Sequence, residues 1–156
     1  MHALAAQLGQ TLLKANKKLV TVESCTGGGL GFWITSVAGS SRWFERGFIT
    51  YSNEAKIELV HVKASTLNEH GAVSEATARE MAEGGLKNSQ SDVCLSITGI
   101  AGPDGGTPTK PIGTVWMGLA EKNKTTLTFH AVFKGDRQAV RDAAIHAALS
   151  HLLNTV

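Results

Sequence analysis

The chain predicts an α/β protein: a three-layer α/β/α sandwich around a mixed, mostly parallel sheet of about five strands. Two observations carry that expectation. Early in the chain, short apolar runs alternate with segments whose apolar residues recur at helical spacing. Late in the chain, two apolar runs flank a short polar turn, the pattern of an antiparallel hairpin.

Taken in order, residues 2–16 place Leu4, Leu8, Leu12 and Ala15 on one helical face. Residues 19–22 read as a short buried strand, followed by a turn of small residues at 24–28. Leu30, Trp33, Ile34 and Val37 form a second helical face that stops near Gly39. Residues 44–51 read as a strand. Asn53 reads as the N-cap of a helix over 53–60, and 63–73 as irregular. Ser74 caps a longer helix with Ala78, Met81, Ala82 and Leu86 facing inward. Residues 92–98 form an apolar, central strand. The stretch 99–111 holds four glycines and three prolines and is a loop. Residues 112–120 and 125–133 form the hairpin. Asp136 caps a final helix whose inner face is Val140, Ala144, Ala147 and Leu149 or Leu152.

A length of 156 residues suits one domain, 1–156, able to bury a core without disulfides or metal. The 15 basic and 13 acidic residues are scattered and give a net charge of +2. No basic stripe with interleaved aromatics is present, which argues against a nucleic-acid partner. Cys25 and Cys94 form neither a metal-ligand pattern nor a disulfide framework, so a reducing compartment is expected. The first residues lack the layout of a signal peptide, and no apolar run is long enough to span a bilayer, so the expected location is cytoplasmic, with no membrane partner. The six histidines show no ligand spacing, and no metal is expected.

Lys56 is the residue that most invites a chemical reading. It falls in the first turn of the helix at 53–60, where the helix dipole and partial burial both favour the uncharged amine. A neutral lysine is a base, and Gly39-Ser40-Ser41 offers a hydroxyl nucleophile in Ser41. The strand 44–51 lies between them. Contact therefore needs the chain to fold back, or a neighbouring subunit to complete the site. Tyr51 is placed to tune the lysine or relay a proton. The turn Glu23-Ser24-Cys25-Thr26-Gly27-Gly28 joins a strand to a helix and suits a small anion such as phosphate, although its glycine spacing is neither that of a P-loop nor of a dinucleotide fingerprint. Glu23, Ser24, Thr26 and Gly27 are its candidate substrate contacts. Thr98 ends the central strand and Gly99 opens the glycine-rich loop, at the strand ends where ligands collect in α/β sheets. Arg137, at the start of the last helix, can grip a phosphate or carboxylate. Each of these residues also has a plain structural role open to it: a solvated lysine, a capped turn, a surface arginine.

Together these segments resemble one family. Glu23-Ser24-Cys25-Thr26-Gly27-Gly28, Gly39-Ser40-Ser41, Tyr51-Ser52-Asn53-Glu54-Ala55-Lys56, His70-Gly71-Ala72-Val73-Ser74, the run from Thr98 to Gly106, Lys110-Pro111-Ile112-Gly113-Thr114-Val115 and Gly135-Asp136-Arg137 occur in the order and spacing of the CinA C-terminal domain family. That family comprises nicotinamide-nucleotide amidases, also called competence/damage-inducible proteins, and this chain resembles the stand-alone form. The resemblance implies hydrolysis of the carboxamide of nicotinamide mononucleotide to nicotinate mononucleotide and ammonia, in pyridine nucleotide salvage. It implies a serine nucleophile and a lysine base with no cofactor. It places the nucleophile on Ser41 and the base on Lys56 with Tyr51 assisting, Thr98 and Arg137 serving activity or binding, and it implies self-association into a homo-oligomer.

Ser24 stands as the alternative nucleophile. Two rival readings differ in kind: a non-catalytic nucleotide-binding or regulatory module, and an amidohydrolase whose nucleophile is Cys25, a thiol near a helix start.

Overall fold

The structure, a computed structural model, describes residues 1–156. Twelve elements follow one another: α1 (His2–Lys14), β1 (Leu19–Glu23), α2 (Gly29–Thr35), a single 3-10 turn (Ser40–Arg42), β2 (Phe44–Ile49), α3 (Asn53–Val60), α4 (Ala64–His70), α5 (Glu75–Lys87), β3 (Val93–Gly99), β4 (Thr114–Glu121), β5 (Leu127–Val132) and α6 (Arg137–Thr155). The strands form one sheet in the order β2-β1-β3-β4-β5. β1 pairs in parallel with β2 and with β3, while β4 pairs antiparallel with β3 and β5. Only β4 therefore runs against the others, and the mostly parallel sheet of the sequence reading holds.

The strand sequences explain the order. All residues of β1 are buried, as is β3 up to Thr98, so both are sealed on two faces and sit inside the sheet. β2 and β5 carry exposed positions and form the edges. Alternate side chains serve opposite layers. Leu19, Leu95, Ile97, Met117 and Leu119 pack against α1, α2 and α6 through Leu8, Leu12, Ile34, Ala144 and Leu149. Val20, Val22, Cys94 and Ala120 face the other way, onto Val60, Val62, Met81 and Ala82. No helix is long and apolar enough to cross a membrane.

Two local expectations are corrected. Ser52, not Asn53, caps α3: its Oγ accepts the Ala55 amide at 3.0 Å, which turns Asn53 into the first helical residue. Within 63–73 a helix, α4, forms where no periodicity announced one. Its cap is remote: Glu80 on α5 accepts the Lys63 amide at 2.9 Å and the Thr66 hydroxyl at 2.6 Å.

Register then positions the site. Glu23 lies beside Ile49 on one side and Ile97 on the other. The segments leaving β1, β2 and β3 (24–28, 50–56 and 99–113) consequently emerge side by side, and β5 delivers the start of α6 to the same end of the sheet.

Candidate active site

The turn after β1 is held from within. Glu23 is 1% exposed, and its carboxylate accepts the Thr26 hydroxyl at 2.6 Å and the amides of Gly28, Leu30 and Gly31 at 3.2, 3.0 and 2.8 Å. Gly27 and Gly28 have φ of +57° and +95°, a left-handed pair that glycine adopts without strain. Gly29 permits the close approach of α6, since a Cβ there would lie 2.6 Å from Ile145 Cδ1.

This arrangement carries Ser24 to the end of β1 beside Thr50 and Lys56. Lys56 is 1% exposed, and its Nζ lies 3.1 Å from Ser24 Oγ and 2.8 Å from the Thr50 carbonyl oxygen, with the Tyr51 carbonyl at 3.5 Å. None of the ion pairs in the chain involves it. Burial lowers its pKa from the ordinary 10.5. A buried amine with no acid beside it and a hydroxyl in hydrogen-bond reach is the arrangement that general-base activation of a nucleophile requires.

Ser24 and Lys56 line a cavity of about 180 Å³ together with Tyr51, Asn53, Thr98 and Arg137. Thr98 is buried, and its hydroxyl donates to the Ala72 carbonyl at 2.7 Å, fixing the wall formed by Ala72 and Val73. At the mouth Arg137 spans two elements. Its Nη1 donates to the Gly102 carbonyl of the glycine-rich loop at 2.8 Å and its Nη2 to the Tyr51 hydroxyl at 2.9 Å. Tyr51 is 60% exposed, so its ring guards the rim and only its carbonyl meets the lysine.

Several sequence expectations fall elsewhere. Ser41 is exposed in the 3-10 turn before β2, at the end of the sheet where the strands begin. Within one chain the six residues of β2, roughly 17 Å of strand, lie between it and the end of the sheet that holds Lys56. The structure pairs Lys56 with Ser24 instead, because parallel register sets the end of β1 beside the end of β2. The Glu23 carboxylate and the Thr26 hydroxyl are buried and bonded to each other, so neither side chain faces the cavity. The Gly27 amide donates to the Ser24 carbonyl and the amides of Gly28, Leu30 and Gly31 to Glu23, so these helix-start donors are taken by the chain itself. Tyr51, Thr98, Gly99 and Arg137 do line the cavity.

Asn53, Ala72, Val73 and Ala101 were not foreseen as lining residues; only the sheet topology brings them in. Cys25 also lines the cavity, but burial pushes its thiol up to about 11. It is a protonated thiol at neutral pH, which removes the ground for a thiolate nucleophile. A larger groove of about 690 Å³ runs between α3, α4 and α5. Ser74, the one hydroxyl in its lining, donates to the Gly71 carbonyl at 3.0 Å and accepts the Thr77 amide as the cap of α5, so the groove presents no free nucleophile.

Comparison with known proteins finds relatives over the length of the chain. The sequence profile of the CinA C-terminal domain matches residues 1–156. The nicotinamide-nucleotide amidohydrolase PncC of Escherichia coli (strain K12) is 51% identical over 149 residues, covering 96% of this chain and 90% of that protein. A putative competence-damage inducible protein of Symbiobacterium thermophilum is 48% identical over 94% of this chain but only 36% of its own length. Among solved structures, the competence/damage inducible protein CihA from Agrobacterium tumefaciens superposes with a TM-score of 0.95 at 37% identity, covering 99% of this chain and 95% of that one.

Proposed function

We propose that this chain, which belongs to the CinA C-terminal domain family, is an amidohydrolase that converts nicotinamide mononucleotide to nicotinate mononucleotide and ammonia, with Ser24 as nucleophile and Lys56 as general base. The observation that carries the mechanism is the 3.1 Å approach of an unpaired, buried lysine amine to Ser24 Oγ. The likeness to a nicotinamide-nucleotide amidohydrolase at 51% identity supports the substrate class.

The chemistry follows from the geometry. Neutral Lys56 takes the Ser24 proton as Oγ attacks the carboxamide carbon, and the carbonyl electron pair moves onto oxygen. The tetrahedral species collapses, Lys56 returns its proton to the departing nitrogen, and ammonia leaves a nicotinyl ester on Ser24. Water then attacks the ester with Lys56 again accepting the proton; as the tetrahedral species collapses and the C–Oγ bond breaks, Lys56 returns that proton to Ser24 Oγ and nicotinate mononucleotide departs. The Thr50 carbonyl holds the amine in place through both steps.

The cavity, at about 180 Å³, is smaller than the roughly 300–1,000 Å³ of a site that engulfs a drug-sized ligand. It suits the carboxamide ring, leaving ribose and phosphate to cross the mouth by Tyr51 and the Arg137 guanidinium, whose planar fork suits a phosphate. Self-association, expected from the sequence, is a separate reading that sedimentation at two concentrations tests.

The direct test is ammonia release from nicotinamide mononucleotide. Ser24→Ala and Lys56→Ala are each expected to remove turnover while the far-UV spectrum and Tm stay those of a folded protein. Normal turnover in either variant takes that residue out of the mechanism.

A further inference from the structure

We infer that the backbone N–H groups of Cys25 and Thr26 form the oxyanion hole of this reaction, and that Glu23 is the positioning residue that keeps them free. The inference rests on the reading of Ser24 as nucleophile and follows from a donor inventory of the turn. Between residues 24 and 31 every amide but two donates to a backbone carbonyl or to the Glu23 carboxylate. Ser24 donates to the Ile97 carbonyl, Gly27 to Ser24 and Gly29 to Thr26. Gly28, Leu30 and Gly31 donate to the Glu23 carboxylate. The amides of Cys25 and Thr26 donate to no backbone carbonyl, and Glu23 takes neither.

Those two follow Ser24 directly, and Cys25 lines the cavity. The residue after a nucleophile on a strand-to-helix turn is where acyl-transfer sites find an oxyanion donor, because its N–H and the attacking oxygen reach the same carbonyl from adjacent positions. A buried amide left without an acceptor is costly, so donors left free beside a nucleophile are in place for the charge that develops during attack.

Glu23 makes the arrangement possible. With Ala or Leu at that position the amides of Gly28, Leu30 and Gly31 would be the unpaired ones, and a substrate anion would be drawn along the turn, away from Ser24. By accepting them and the Thr26 hydroxyl, the carboxylate removes that competing site and locks the turn. The same contacts explain why a buried acid is tolerated: it receives charge-assisted hydrogen bonds on both oxygens.

Replacing the residue-25 amide by an ester, through incorporation of lactic acid in the full chain, deletes one N–H and little else. Its proper reference is Cys25→Ala, which carries the same side chain. We expect kcat to fall by about 10²–10³ relative to that reference with KM unchanged, because the lost contact is made to the transition state. The ester also weakens the Ser24 carbonyl that takes the Gly27 amide, so Tm is followed in parallel. Glu23→Gln should lower kcat in the same sense, and Glu23→Asp should recover part of it. Where Cys25→Ala turns over too slowly to compare, the affinity of the nucleotide bearing an aldehyde in place of the carboxamide, to which Ser24 adds without turnover, should show the same loss. With Ser24→Ala inactive, an ester variant within threefold of its reference in kcat and aldehyde affinity overturns the oxyanion assignment alone. An active Ser24→Ala overturns the nucleophile and this inference with it.

Discussion

At the end of the sheet where β1 begins, Lys17 lies 2.8 Å from Glu121 and Lys122 lies 2.9 Å from Asp92. At the end where β1 finishes, Lys56 is more deeply buried than either and meets no acid, only carbonyls and a serine. The first lysines are ion-paired and their carboxylates are held below the ordinary range: for Glu121 and Asp92 alike, burial pushes upward but the bonds from Lys124 and Lys17, or from the Lys18 amide and Lys122, outweigh it. The last lysine moves in the opposite direction, toward the neutral amine. The residue type is constant across the molecule; the presence or absence of a carboxylate separates an ion-paired lysine from one shifted toward the neutral amine.

The comparison breaks most visibly at the serines. Each end has one near a glycine turn, Ser24 at the finish of β1 and Ser41 before the start of β2. Ser24→Ala is expected to lose at least about a thousandfold in turnover, consistent with a nucleophile. Ser41→Ala, exposed and far from the amine, should stay within about twofold of wild type. Equal losses would mean that Ser41 reaches a site across a subunit boundary, and would erase the distinction between the ends.

A pH series sharpens the same contrast at the amine itself. As a base Lys56 must be uncharged, so kcat/KM should rise with pH and level off above an inflection lying below the ordinary 10.5. An inflection at the unperturbed value would mean the amine is solvated in the working enzyme. Stability has a sign of its own. Between the folded and unfolded pKa of Lys56 the unfolded chain carries a proton that the folded chain does not, so Lys56 makes stability rise with pH across that window. Lys56→Met should flatten that rise in Tm measured over the alkaline range. An unchanged slope would assign it to other groups.

The sequence made the lysine legible and left its partner open, for a reason the register explains. Helical and strand periodicity located β1, β2 and α3, and hence the segment that carries Lys56. Which serine that lysine meets depends on strand order, and nothing local in the sequence states that β1 lies beside β2 in parallel with Glu23 opposite Ile49. Glu23 misled for a related reason. An acid at the edge of a glycine turn looks available to a ligand until its four donors are counted in space. α4 escaped notice because its cap, Glu80, comes from the next helix. Arg137 was legible through its place at the start of α6, whereas its bond to the Tyr51 hydroxyl is a product of the fold alone.

The smallest expected effect lies at the structural end. Lys122 and Asp92 are 54% and 33% exposed in their side chains, so water screens most of their attraction. Lys122→Ala should cost at most about 1 kcal/mol at neutral pH and leave kcat where it was. Asp92 is held below its ordinary pKa, so the stabilisation it provides is present above the unfolded value of 3.8 and is lost as pH falls through the folded one. The difference between Lys122→Ala and wild type should therefore close in acid, and it should also shrink in 1 M salt, where the screening length drops to about 3 Å. A loss that persists under both conditions would show the Lys122 stem to matter through packing. A fall in kcat would couple the two ends of the sheet and end their treatment as independent.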